Sequence, residues 1–249
     1  MHPVNEVLDL VGLRLGPAPP TARGPKEFHR KYDRELSQLK KDRGEFTVFK
    51  EFYYDAGVHP STYMDFECEF AVRHLQKNHP ASVLDIGSYR LFVIGMLAGY
   101  KVTTIDIRPR ESTMTNETVV TSDAKELKIP AGSFDMVTSL CSLEHFGLGR
   151  YGDDFDMAGD KKAFGEMIRV LKPGGLLVFS TTITRSAPAI AFNAHRIYSY
   201  PMIRRFCQPM ECVEEGFFSN TLGTACTLEQ VVSEPREWDV YAGCWRKRA

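Results

Sequence analysis

From residue 81 onward, short apolar runs alternate with longer segments whose apolar residues recur every three or four positions. The runs at 83–86, 102–106, 119–122, 136–140 and 176–182 predict buried strands, and 91–98 and 161–171 predict helices between them. Such alternation implies an α/β domain with a doubly wound, mostly parallel sheet, helices on both faces, and ligands at the carboxyl ends of the strands. The helix at 91–98 carries Leu91, Phe92, Val93, Ile94, Met96 and Leu97, so it is expected to be buried on most sides. In the less regular tail, 239–243 predicts a last strand, and 227–232 a helix capped by Thr227 with Gln230 at the capping-box position. Upstream, 27–43 predicts a charged helix with a solvated face. Residues 65–78 predict an amphipathic helix with Phe66, Phe70, Ala71, His74 and Leu75 near one face. Prolines and glycines between 16 and 25 exclude helix and central strand and mark a linker after a short apolar piece at 7–15. The expected organisation is a helical extension over 1–80, able to cap a cleft, followed by the α/β domain over 81–249.

The acidic residues inside these runs narrow the chemistry. Asp85 interrupts the first strand and is followed by Gly87-Ser88; Asp106 ends the second. A carboxylate there can accept hydrogen bonds from both hydroxyls of an adenosine ribose, and Gly87 lets the backbone turn sharply and approach a ligand closely. Dinucleotides and S-adenosylmethionine are both held in this way, and they differ in the first loop. A pyrophosphate needs G-x-G-x-x-G, whereas here Tyr89 stands at the second glycine position and Phe92 at the third. Further on, Leu171-Lys172-Pro173-Gly174-Gly175 closes a helix and opens an apolar strand. This turn resembles the L-K-P-G-G turn of class I S-adenosylmethionine-dependent methyltransferases. The resemblance implies a Rossmann-like class I methyltransferase fold with S-adenosylmethionine as cofactor.

Within that resemblance, Asp123 falls where these enzymes place an acidic residue against the adenine amine. It suits equally the N-cap of a following helix, and the two roles are compatible. With Ser88, Ile107, Ala124 and Cys141, the residues Asp85, Gly87, Asp106 and Asp123 are expected to line the cofactor site. Beyond the fourth strand, Glu144-His145-Phe146-Gly147-Leu148-Gly149-Arg150-Tyr151-Gly152-Asp153 is too polar and glycine-rich for simple core. With Phe192-Asn193-Ala194-His195-Arg196 it resembles, from about residue 52 to 198, a methyltransferase-like family of unknown function carrying E-H-F-G-L-G-R-Y-G-D and F-N-A-H-R. His145 is the first candidate for a general base, with His195 second and Glu144 beside them; a structural imidazole bonded to loop backbone is the other reading. Arg150 and Arg196 suit a carboxylate or phosphate of the acceptor, with Tyr151 and Asn193 nearby, and surface salt bridging is the alternative.

Composition excludes little. Thirty-one basic and 32 acidic residues give a net charge of −1 and no electrostatic case for a nucleic-acid partner. Six scattered cysteines, without zinc spacing, fit reduced thiols; no apolar run has transmembrane length, and the start lacks the regions of a signal peptide, so a cytoplasmic location without membrane partner is expected. Asp153, Asp154, Asp156 and Asp160 form an acidic cluster whose spacing matches no calcium loop, and no metal is expected. The expected activity is methyl transfer to a hydroxyl of a sugar, nucleotide sugar or other small polar metabolite. Two alternatives stay open: a nicotinamide-dependent oxidoreductase acting on a nucleotide sugar, and a non-catalytic regulatory or assembly protein of the same fold.

Overall fold

The computed structural model describes residues 25–50, 52, 57 and 61–248. The chain divides into two compact units, 1–59 and 60–249. In the first, helix α1 (Lys26–Lys41) buries no residue, as its all-round charge predicts. The apolar piece at 7–15 and most of the proline-rich linker lie outside the described residues.

The second unit opens with α2 (Tyr63–Asn78), started by a reciprocal capping box between Thr62 and Asp65. Its residues Phe70, Ala71 and Leu75 pack with Val83, Phe92, Met136 and Val178. This helix, expected in the extension, falls in the second unit, where its apolar stripe packs into the core of the α/β sheet. The elements that follow are β1 (Val83–Ile86), α3 (Arg90–Met96), β2 (Val102–Asp106), β3 (Glu117–Thr121), β4 (Phe134–Ser139), α4 (Gly159–Val170), β5 (Leu171–Thr184), β6 (Ala189–Ala191), β7 (His195–Ser199), α5 (Tyr200–Phe206), β8 (Met210–Ser219), β9 (Thr224–Cys226) and β10 (Asp239–Lys247). The main sheet runs β3-β2-β1-β4-β5-β10-β8-β9. Strands β1 to β5 pair in parallel, and β10 inserts antiparallel between β5 and β8. One face is covered by α2 and α3; Ala163, Phe164, Met167 and Val170 of α4 cover the other against Leu84, Val137 and Leu177. This is the mixed, mostly parallel, doubly wound sheet expected.

Three local expectations are corrected. Helix α3 buries Phe92, Val93 and Met96 but leaves Leu91 63% and Ile94 44% exposed, since seven residues present a single face to the sheet. No helix follows Asp123. The segment after Thr227 makes one 3₁₀ turn (Leu228–Gln230), with the expected Thr227–Gln230 capping box in place.

The connection from β4 to α4 carries the first signature and is folded on itself. Asp153 accepts hydrogen bonds from the backbone N–H groups of Gly147, Gly149 and Tyr151. Gly147, at φ 76°, lies against Asp156, where a Cβ would strike the Asp156 carbonyl. From β7, Arg196 enters this loop from beneath and is 4% exposed. Its guanidinium donates to the carbonyls of Phe146 (2.7 Å), Glu144, Asp156 and Met157 (each 3.4 Å) and pairs with Asp160 at 3.5 Å. Asp160 also accepts from Tyr198 at 3.0 Å. The substrate-binding role expected of Arg196 is thus corrected: every direction of its fork is spent on the loop.

Replacing Arg196 with Met is expected to cost about 3–5 kcal/mol, because it strands a buried carboxylate and several carbonyls. That corresponds to a fall in melting temperature of roughly 10 °C. Scanning calorimetry of R196M and R196K tests this. Lys, a single ammonium, is expected to restore less than half, and a melting temperature within about 2 °C of wild type for R196M would remove the clamp from this account.

Candidate active site

At the carboxyl end of β1, Asp85 does not face the cleft. Its carboxylate, 2% exposed, accepts from Thr138 Oγ1 at 2.8 Å and from the Ser88 N–H at 3.2 Å, and burial pushes its pKa up to about 6. Ser88 Oγ in turn accepts from the Leu140 N–H at 3.0 Å, while Ser139 and Ser142 hydroxyls both donate to the Ile86 carbonyl. Together these bonds fix the first loop to the end of β4. Gly87, at φ 71°, turns there, and a Cβ on it would come within 3.1 Å of the Ser142 side chain.

Asp106, Ile107, Asp123, Ala124, Cys141 and His145 line one pocket at the ends of β1, β2 and β4. Asp106 is engaged by Arg108, which donates from its backbone N–H (2.9 Å) and Nε (3.0 Å) to Oδ1 and from Nη2 (2.9 Å) to Oδ2. Burial raises the Asp106 pKa, but these bonds outweigh it and hold the carboxyl below its ordinary value. The Arg108 guanidinium lies 4.4 Å over the Tyr151 ring, so strand β2 and the signature loop meet across the pocket mouth. Asp123 accepts from the Lys125 N–H at 2.9 Å and pairs with its ammonium at 3.2 Å, capping a turn instead of a helix.

A second cavity of about 700 Å³ adjoins the first, sharing Gly87, Asp106, Arg108, Cys141 and Tyr151. It is lined also by Tyr63 and Glu67 from α2, Ser88, and Arg150. Among the described residues Arg150 pairs with no carboxylate; it donates to the Ala194 carbonyl at 3.3 Å. Glu67, 2% exposed, accepts from Ser180 Oγ at 2.5 Å, and burial, partly opposed by bonds from Cys141 and Ser180, raises its pKa. Glu144 is also buried; it accepts from Thr181 Oγ1 at 3.0 Å, and burial pushes it up to about 8.

His145 presents Nδ1 to the Ala194 carbonyl at 2.6 Å, and burial pushes its pKa down to about 4, so the imidazole is neutral at pH 7. His195 lines neither cavity; it stacks edge-on against His145 and Trp238, with its pKa lowered by burial and by Arg150. Asn193 is exposed and likewise outside both cavities. Asp153, Asp156 and Asp160 turn to separate partners. Among the described residues no group of three or more His, Cys, Asp or Glu side chains is placed to hold a metal ion.

Two features escaped the sequence reading. One is Glu67. The other is Glu117 on β3, whose fully buried carboxylate binds Arg90 at 2.6 and 2.8 Å, Arg110 at 3.0 Å and Ser112 at 2.5 Å. Burial alone would raise its pKa, but those donors pull it down to about 2. One carboxylate thereby anchors the loops after both β1 and β2. A polar pattern on an edge strand gives no sign of such burial.

Comparisons with known proteins bear on the architecture. The 1,6-didemethyltoxoflavin-N1-methyltransferase of Burkholderia thailandensis, solved with S-adenosylhomocysteine, superposes with a TM-score of 0.56 at 17% identity, covering 94% of each chain. The [4+2]-cyclase SpnF gives 0.57 at 16% identity over 88% of this chain and 94% of that one. N-methyltransferase NodS of Bradyrhizobium japonicum WM9 gives 0.52 at 17%, over 75% and 97%. These likenesses show the class I methyltransferase fold. The 2-methyl-6-phytyl-1,4-hydroquinone methyltransferase of Synechocystis is 28% identical over 155 residues, 57% of this chain, which spans 43% of that relative's length. No helix among the described residues is long and apolar enough to cross a membrane. The family model described as "Caenorhabditis protein of unknown function, DUF268" matches residues 94–231, more than half of the chain and including both signatures, and the chain belongs to that family.

Proposed function

We propose that this protein is a methyltransferase that uses S-adenosylmethionine and methylates a hydroxyl of a small polar acceptor, a sugar or related metabolite. The observation that carries the reading is the pairing of Asp106 with Asp123 in one pocket at the strand ends, walled by Ile105, Ile107 and Ala124. That donor set fits an adenosine: a carboxylate for the ribose diol, an acceptor for the adenine amine, and apolar faces for the ring. Tyr89, half-exposed in the first loop, stands where a diphosphate would need a glycine, which disfavours a dinucleotide. When bound, the cofactor would supply an electrophilic methyl to the acceptor oxygen, with the carbon–sulfur electron pair left on sulfur and one proton given up by the acceptor.

The chain's own residues hold and orient. Asp85, Ser88, Ser139 at the end of β4 and Ser142 just beyond it fix the loop proposed to face the cofactor. Arg150, which has no carboxylate partner among the described residues, and Arg108, which can exchange Asp106 for another anion, flank Tyr151 at the adjoining cavity and support an acceptor bearing a carboxylate or phosphate. Hexuronic acids and nucleotide sugars are the first acceptors to screen. The fold alone does not settle the reaction, since the neighbour SpnF is a cyclase.

Calorimetric titration with S-adenosylmethionine, S-adenosylhomocysteine and NAD in parallel tests the cofactor. Micromolar binding of the first two and none of NAD is expected; NAD binding alone would overturn the proposal. Asp106→Ala is expected to weaken both nucleosides roughly 10²–10³-fold, the worth of about 3–4 kcal/mol of charge-assisted hydrogen bonds. Affinity unchanged in that variant would move the ribose elsewhere.

A further inference from the structure

We propose that Glu67 is the residue that takes the acceptor's proton as the methyl group is transferred, an inference that rests on the functional reading above. Three observations place it there. Glu67 lines the larger cavity, on the acceptor side of Cys141, whereas His145 lines only the adenosine-side pocket. Its carboxyl group is oriented by the Ser180 hydroxyl, which itself accepts the Cys141 N–H at 2.9 Å, so α2, β5 and the end of β4 converge on one carboxyl. Among the described residues no Lys, Arg or His forms an ion pair with it.

Its surroundings set its proton affinity. The titratable groups facing it are Tyr63 and Cys68 on its own helix, Cys141 beyond β4, and Glu144 in the 3₁₀ turn; all four are acids. Of the arginines lining the same cavity, Arg90 and Arg110 are bound to Glu117 and Arg108 to Asp106, while Arg150 acts on Tyr63 and Glu144. Burial raises the Glu67 pKa against the bonds from Cys141 and Ser180, while burial lowers that of His145 to about 4. Proton-accepting strength follows pKa, which favours the carboxylate over a weakened imidazole. A sulfonium entering this cavity would drive the proton off Glu67 and leave the carboxylate ready. As the methyl departs the positive charge vanishes, so the proton affinity of Glu67 climbs in step with release of the acceptor's proton. Oxygen gains the methyl, Glu67 gains the proton, and the proton returns to solvent after product leaves.

The two nucleosides differ in charge at sulfur, which gives a test needing no acceptor. Titration calorimetry of the full chain in buffers of different ionisation enthalpy, between about pH 5 and 7, counts protons released on binding. Wild type is expected to release more with S-adenosylmethionine than with S-adenosylhomocysteine, by up to about one proton per site. Glu67→Gln, which keeps the Ser180 bond, is expected to erase that difference, to bind S-adenosylhomocysteine within about threefold of wild type and to lose roughly tenfold in affinity for S-adenosylmethionine; Glu144→Gln is expected to keep the difference. If both nucleosides bind and E67Q retains the difference, the inference falls and the functional reading stands; if neither binds wild type, both fall. Where the acceptor screen yields a methylated hexuronic acid, E67Q is expected to lose turnover about 10²–10⁴-fold and the alkaline-rising limb of the pH profile, and His145→Gln to keep that limb. The reverse pattern would return the role to His145.

Discussion

The cleft depends on a buried cation. Between the end of β4 and the start of α4 the chain makes no regular structure beyond one 3₁₀ turn, yet Glu144, Gly147 and Leu148 in this stretch are buried. Backbone carbonyls in such a segment must find donors inside the protein. Arg196 supplies them from a strand some fifty positions later, and Asp153 supplies the acceptor for the loop's converging N–H groups. A guanidinium suits this task because its planar fork serves several carbonyls at once and cannot lose its charge. Desolvating it is expensive, and Asp160 and the carbonyls offset that cost only in one loop geometry. The two signature segments therefore belong together: F-N-A-H-R contributes the clamp, and E-H-F-G-L-G-R-Y-G-D is what it holds.

The parallel half of the sheet was legible because strands covered on both faces are short runs of mainly apolar and β-branched residues, as 83–86, 102–106 and 136–140 are. Strands β6 to β9 were not. Met210-Glu211-Cys212-Val213-Glu214-Glu215 carries its charges on an exposed stretch and reads as loop until β10 pairs with it, and that pairing is a long-range fact. Residue types near the cleft were legible in the same partial way. Asp106, Ile107, Asp123, Ala124, Cys141 and His145 do share a pocket. Arg196 and Asp85 sit beside it facing away, and a sequence does not say which side of a strand end a polar group will serve.

Glu67 shows what the periodicity contained and did not announce. On α2 the buried positions are 67, 70, 71, 74 and 75, spaced for one helix face. Position 67 belongs to that face, and a glutamate there must either find partners or change its proton affinity. A carboxylate falling in register with an apolar stripe is a signal available from sequence; it competes with the charged residues that surround it on the same helix and is lost among them.

The charge arrangement of the cleft follows from these constraints. Along the β2 side, Glu117 binds Arg90 and Arg110 together and Asp106 binds Arg108, so three guanidiniums and two carboxylates stay ionised around the proposed ribose position. On the α2 side, Glu67 and Glu144 form no ion pair with Lys or Arg among the described residues, and burial raises the pKa of both carboxyls. One wall thus stays ionised at neutral pH, and the other is poised to exchange protons with what enters. A site with fixed charge at one end and adjustable protonation at the other suits a cofactor that arrives positive and leaves neutral, because the protein's own charge can change with the ligand's without rebuilding the fold.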